Sequence, residues 1–142
     1  MIVVVEDHAD TADIIYRLLR REGHDVKVFS TGEELLAHLE RAEGHETVPQ
    51  VIVLDMAMPG IGGMECLRTL AGDERWREIP VVVYSADFTS SCMLEALKLG
   101  AKDFLVKGTV GWDVLIRTVE KHTGLSNNPV ARRPMDYRPG FC

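Results

Sequence analysis

Val51-Ile52-Val53-Leu54-Asp55, followed by Met56-Ala57-Met58-Pro59-Gly60, is the stretch that decides the fold. Four apolar residues rich in β-branching read as a buried strand of a parallel sheet. The run ends on a carboxylate, and the Met-Pro-Gly turn forces the backbone into a loop there. An unpaired Asp inside such a run is costly to bury, which places Asp55 at the strand's carboxyl end, facing a crevice. In open α/β sheets, ligands and chemistry are found at that end.

Working outward, Ile2 to Val5 is a short all-apolar strand that ends on Glu6-Asp7. A helix follows with Ala12, Ile15 and Leu19 on one face, and Gly23 stops it. Val26-Lys27-Val28-Phe29 alternates like a strand near a sheet edge. Thr31-Gly32-Glu33-Glu34 is a capping box, starting a helix with Leu35, Leu39 and Ala42 as its stripe. Residues 44–50 read as a polar linker.

On the carboxyl side, Met64, Leu67 and Leu70-Ala71 suggest a third helix that runs out in Gly72-Asp73-Glu74. Pro80 opens Val81-Val82-Val83-Tyr84, which ends on Ser85-Ala86. Thr89 or Ser90 caps a helix carrying Met93, Leu94 and Leu97, and Gly100 terminates it. Asp103-Phe104-Leu105-Val106 is the last strand and ends on Lys107-Gly108. A final helix carries Trp112, Leu115, Ile116 and Val119 and stops near Gly124. Strand and helix thus alternate five times, which predicts a parallel sheet covered on both faces. From residue 125 the pattern dissolves around Pro129, Pro134 and Pro139 and the pair Arg132-Arg133. The expected organisation is a folded domain over 1–124 and a disordered tail over 125–142.

At 142 residues the chain suits one domain with a real core, burying roughly two-thirds of its unfolded surface. Its 46% hydrophobic and 27% charged residues are ordinary for a soluble protein. No apolar run approaches the roughly 18 residues of a membrane span, and a net charge of −6 argues against direct nucleic-acid binding by the whole chain. Cys66, Cys92 and Cys142 lack metal-type spacing and read as reduced thiols in a cytoplasm. His8, His24, His38, His45 and His122 are scattered and read as surface residues. Met56, Met58 and Met64 read as loop and core filler.

Glu6-Asp7, Asp55, Ser85 and Lys107 all sit at the carboxyl ends of strands, and right-handed crossovers bring those ends to one edge of the sheet. Three carboxylates together repel unless a proton or cation intervenes, and such hard oxygen ligands suit Mg²⁺. Lys107 can pair with phosphate as a point charge, the Ser85 hydroxyl can donate to it, and a carboxylate can itself be the nucleophile of phosphoryl transfer. These residues fit metal-assisted phosphorylation of Asp55.

The chain resembles the receiver domain of two-component response regulators over residues 2–123, in its single-domain form. Four pieces carry the likeness, in order and each after an apolar run. They are Glu6-Asp7, Asp55-x-x-Met58-Pro59-Gly60, Ser85-Ala86, and Gly100-Ala101-x-Asp103-Phe104-Leu105-Val106-Lys107. The resemblance implies an α/β, flavodoxin-like, doubly wound sheet of five parallel strands in the order 2-1-3-4-5 with five helices. It implies that Asp55 accepts a phosphoryl group from a sensor histidine kinase or a histidine phosphotransfer protein. It further implies that Asp7 ligates Mg²⁺ directly (with Mn²⁺ as a substitute), that Glu6 acts mostly through water, and that Asp55 and the Ala57 carbonyl complete the metal site. Ser85 and Lys107 would hold phosphoryl oxygens, and Phe104 matches the aromatic switch position. Output would pass by protein contact through roughly residues 90–121, from a cytoplasmic monomer or a phosphorylation-dependent dimer, with no membrane or nucleic-acid contact.

Two positions depart from the family. Gly108 stands where the family usually has proline, which disfavours a cis peptide at that bond and suggests a looser loop. Phe104 lacks the hydroxyl often found there. Two alternatives follow. A pseudo-receiver would share the fold and act as an unphosphorylated adaptor. An aspartate-nucleophile, Mg²⁺-dependent phosphatase of the haloacid dehalogenase type would use similar groups, but there the nucleophile comes on the first strand and the acidic pair last.

Overall fold

The computed structural model describes residues 1–41, 48–87 and 89–123. The strands are β1 (Ile2–Val5), β2 (Val26–Phe29), β3 (Val51–Leu54), β4 (Val81–Ser85) and β5 (Asp103–Val106). The helices are α1 (Ala9–Arg21), α2 (Gly32–Arg41), α3 (Gly62–Ala71), α4 (Ser90–Lys98) and α5 (Trp112–Glu120). All strand pairs are parallel, in the order β2-β1-β3-β4-β5, which is the flavodoxin-like sheet expected from the alternation. The linker residues 44–47, the stripe residue Ala42, Gly124 and the tail 125–142 lie outside the described residues.

Side chains of successive strand residues point to opposite faces, so the buried strands split into two packed layers. Val3, Val5, Ile52, Leu54, Val81 and Val83 pack with Leu35 and Leu39 of α2, Cys66, Leu67 and Leu70 of α3, and Ala96 of α4. Ile2, Val4, Val51, Val53, Val82 and Tyr84 pack with Ile15 and Leu19 of α1 and with Leu115, Ile116 and Val119 of α5. Burial pushes the Cys66 thiol up to about 12, an inert packed sulfur. Cys66 and Cys92 are free thiols, and Cys142 lies outside the described residues.

Local signals set the helix ends. Thr31 Oγ accepts the Glu34 N–H at 3.1 Å, while Glu34 Oε1 reaches back to the Ser30 N–H at 2.8 Å and its hydroxyl at 3.1 Å. Thr89, not Ser90, caps α4 by accepting the Cys92 N–H at 3.3 Å. Beyond α4, Gly100 turns at φ 107° so that its N–H reaches Leu97 O and the next N–H, of Ala101, reaches Ala96 O.

Three readings are corrected. The stripe Met93, Leu94 and Leu97 is not the core face of α4: Leu94 is 57% and Leu97 41% exposed, and the helix buries Ala96 instead. It covers the edge strand β5, whose residues are all only half-buried, so a narrow contact suffices. Trp112 is likewise 38% exposed at the start of α5. Among the histidines, His24 is buried, its Nε2 2.8 Å from Glu120 Oε2 at the far end of α5, and His38 and His122 are half-buried. A segment with no helix or strand pattern, Asp73 to Ile79, also feeds the core through Trp76 and Ile79. Arg75 holds it by bridging Asp73 and Glu40.

Candidate functional site

The parallel register places the carboxyl ends of β1, β3, β4 and β5 side by side, and with them Glu6, Asp7, Asp55, Ser85 and Lys107. Glu6 directly follows β1 and Asp55 directly follows β3, where the backbone leaves the ladder and side chains can turn over the sheet's end. The approach is tight beneath Asp55. A Cβ on Gly63, in the first turn of α3, would run into the Asp55 carbonyl oxygen and the Met56 Cα, so only glycine lets α3 start there.

One ligand atom from each of Glu6, Asp7 and Asp55 lies within 4.8 Å of the others. Asp7 is exposed, whereas Glu6 and Asp55 are buried, 3% and 4% accessible. Glu6 uses both oxygens: Oε1 is 2.9 Å from Lys107 Nζ, and Oε2 accepts the His8 N–H at 3.2 Å. Asp55 Oδ1 accepts the Ala57 N–H at 3.2 Å, and its Oδ2 is 3.5 Å from Lys107 Nζ. Ser85 is fully buried, its hydroxyl accepting the Asp87 N–H at 3.2 Å and its carbonyl accepting the Lys107 N–H at 2.9 Å. Phe104 is half-buried and packs against the layer that contains α4. On its open side the acidic end adjoins a groove of about 440 Å³ between α1 and β2, lined among others by Glu6, Asp7, Asp13, Tyr16 and Val28.

Burial and charge together set the ionisation of the cluster. Burial pushes the Glu6 carboxyl above its ordinary 4.5, more than the hydrogen bond from Lys107 lowers it, and the Asp55 charge adds to the rise. Burial works to lower Lys107, but its hydrogen bond to Glu6 and the charges of Asp55 and Glu6 outweigh this and hold the ammonium above 10.5. One cation therefore faces three carboxylates. A hard divalent cation fits that donor set, with Asp7 open to solvent and Asp55 and Glu6 behind it.

Of the site residues named from the sequence, Glu6, Asp7, Asp55, Ala57, Ser85 and Lys107 come to this edge, whereas Phe104 lies inside β5 opposite Val83 and packs in the layer that contains α4. Gly108 is trans-linked and turns at φ 86°, a backbone that proline cannot adopt. Sequence reasoning missed Tyr84, whose ring centroid lies 5.7 Å from Lys107 Nζ. The available signal was the parity of its strand: Tyr84 precedes Ser85 and so faces the opposite layer.

With this geometry in view, comparison with known proteins settles the class. The family described as "Response regulator receiver domain" matches residues 2–120, and the chain belongs to it. The CAI-1 autoinducer sensor kinase/phosphatase CqsS of Vibrio cholerae is 29% identical over 119 residues, 83% of this chain but 16% of CqsS. The DNA-binding response regulator MtrA of Mycolicibacterium paratuberculosis is 30% identical over 106 residues, 75% of this chain and 44% of MtrA. The chain thus spans less than half the length of either relative. The signal receiver domain of a signal transduction histidine kinase from Syntrophus aciditrophicus superposes with a TM-score of 0.75 at 26% identity, covering 99% of this chain and 98% of that one. The chain is a receiver module of two-component signal transduction, a family that binds divalent metal. No helix among the described residues is long and apolar enough to cross a membrane.

Proposed function

We propose that this chain acts as a single-domain response regulator does, taking a phosphoryl group onto Asp55 and signalling through phosphorylation-dependent protein contact in the cytoplasm. The observation that carries the reading is the placement of the Asp55 carboxylate. It is buried at the end of β3, with Lys107 3.5 Å from its free oxygen and two further carboxylates within 4.8 Å. In the transfer, an Asp55 oxygen forms a bond to phosphorus while the bond from phosphorus to the donor's histidine nitrogen breaks. The electron pair stays on that nitrogen, which takes up a proton.

Glu6, Asp7, Asp55 and the Ala57 carbonyl would hold Mg²⁺, with Mn²⁺ as a substitute, and the bound cation supplies charge neutralisation for the incoming group. In this reading Lys107 turns from Glu6 toward a phosphoryl oxygen, and the Ser85 hydroxyl donates to another. The chain is no enzyme toward outside substrates and catalyses only its own phosphorylation and dephosphorylation. Donors are a sensor histidine kinase or a histidine phosphotransfer protein, and the target docks on α4, β5 and α5, residues 90–121. Phe104, on β5 opposite Val83, serves as a packing switch.

The test is transfer from a radiolabelled phosphohistidine protein. Label should leave the donor and enter this chain in a hydroxylamine-labile form, as an acyl phosphate does. No transfer contradicts the reading and favours the unphosphorylated adaptor, and label stable to hydroxylamine contradicts Asp55 as the acceptor.

A further inference from the structure

Lys107 and Trp112 stand at the two ends of the loop that joins β5 to α5, and both contact one ring. The Lys107 ammonium is 5.7 Å from the Tyr84 centroid, and the Trp112 ring is 6.0 Å from it at an interplanar angle of 55°. Both separations lie within the range over which a cation, or a second tilted ring, is attracted to an aromatic quadrupole. Tyr84 is itself only 5% exposed, fixed by packing among Val4, Val53, Val82 and Leu115.

Between the two contacts the loop is held by one threonine and one apolar side chain, Val110, which packs against the layer that contains α5. Gly108 turns at φ 86°, and Gly111 begins α5 with no side-chain cap. The Thr109 N–H and hydroxyl both return to Val106 O, at 3.1 and 2.9 Å, which ties the first half of the loop to β5, while the second half is held by Val110 in the core layer and by the Trp112 contact with the Tyr84 ring. Phe104 packs in the other layer, with α4, so a signal through Tyr84 runs on a separate side of the sheet.

We propose that Tyr84 is a positioning residue, its ring carrying a displacement of the Lys107 ammonium to Trp112 and so to the first turn of α5. The inference deepens the phosphoacceptor reading and rests on it. Negative charge added at Asp55 draws Lys107 away from Glu6, the cation shifts over the Tyr84 face, and the tilted contact with Trp112 repacks. This signal starts at the lysine and reaches α5, on a route separate from the one through Ser85 and Phe104 on the α4 side of the sheet.

Trp112 is a built-in reporter because it is partly exposed, whereas the other tryptophan, Trp76, is buried under Arg75. The experiment incubates the full chain with a small acyl phosphate and Mg²⁺. It reads phosphorylated fraction by intact mass and tryptophan emission in the same sample, with Trp112→Phe subtracted to isolate Trp112. The Trp112 emission should change in proportion to phosphorylated fraction. Tyr84→Phe, which keeps the ring, should retain that change, and Tyr84→Leu should reduce it by about twofold or more per phosphorylated molecule. An undiminished change in Tyr84→Leu overturns the proposal. So does a fully phosphorylated wild-type protein whose Trp112 emission is unchanged, a result that needs no Tyr84 variant to fold. Absence of any mass gain overturns instead the phosphoacceptor reading beneath it.

Discussion

Glu6 holds the Lys107 ammonium at 2.9 Å, although the two residues follow β1 and β5, strands with β3 and β4 between them. The lysine's closest acid is therefore not Asp55, which lies 3.5 Å away. Without a cation, Lys107 offsets only part of the negative charge at this end of the sheet. An incoming phosphoryl group has to draw it off Glu6.

This arrangement fixes the sign of a pH effect. Glu6 titrates above 4.5 in the folded protein, because burial outweighs Lys107, so just above that value the native state keeps a proton that the unfolded chain has lost. Stability therefore falls as pH rises through that window. Glu34, Glu40, Asp73 and Asp87 are held low by hydrogen bonds from Ser30, Arg75, Arg75 and Thr89, and their contribution is lost only at lower pH, below the ordinary carboxylate range. Glu6→Gln should flatten the fall above 4.5 in cation-free melts. An unchanged slope in the variant contradicts the assignment.

Divalent cations should stabilise the fold, since the unfolded chain cannot assemble Glu6, Asp7 and Asp55. A cation at about a hundred times its Kd stabilises by about 2.7 kcal/mol, which raises Tm by roughly 5–10 °C for a chain of this size. Melting curves with millimolar Mg²⁺ and with chelator measure this directly. Asp7→Asn should remove most of the rise, and a Tm indifferent to Mg²⁺ rules out the site.

At the opposite edge of the sheet, Glu120→Ala would leave the buried His24 ring nitrogen without its partner. The expected loss is about 1–3 kcal/mol. Asp13→Ala, which breaks the exposed pair with Arg17, should cost under about 0.5 kcal/mol. Denaturant unfolding of both variants compares them, and equal losses would show that burial of His24 contributes nothing special.

Gly108 tests the loop after the lysine. Its φ of 86° is open to glycine, costs alanine about 1–2 kcal/mol, and is closed to proline, whose ring holds φ near −65°. Installing the family's usual proline should therefore destabilise the protein more than Gly108→Ala does. A higher Tm in Gly108→Pro would mean that the loop adopts another backbone.

What the sequence made legible is what local chemistry writes. Apolar runs ending on Glu6, Asp55, Ser85 and Lys107 announce both the parallel sheet and the edge where the site forms. Thr31, Thr89, Gly23 and Gly100 mark helix ends because caps act over a few residues. What stayed hidden depends on distant partners. His24 is buried by Glu120, 96 positions away, and no pattern near His24 records that. Leu94 and Leu97 repeat at helical spacing yet stay exposed, because β5 is an edge strand and offers α4 little surface. For Tyr84, strand parity gives the layer it faces, but the contacts of Lys107 and Trp112 with its ring depend on distant residues that parity does not record.

The most direct measurement is intact mass after incubation with a small-molecule acyl phosphate, in Mg²⁺ and in chelator, for the wild-type chain and Asp55→Asn. The account predicts a Mg²⁺-dependent gain of one phosphoryl group in the wild type, and none in chelator or in the variant. A folded wild-type protein that gains no mass, or an Asp55→Asn protein that gains it equally, would contradict it.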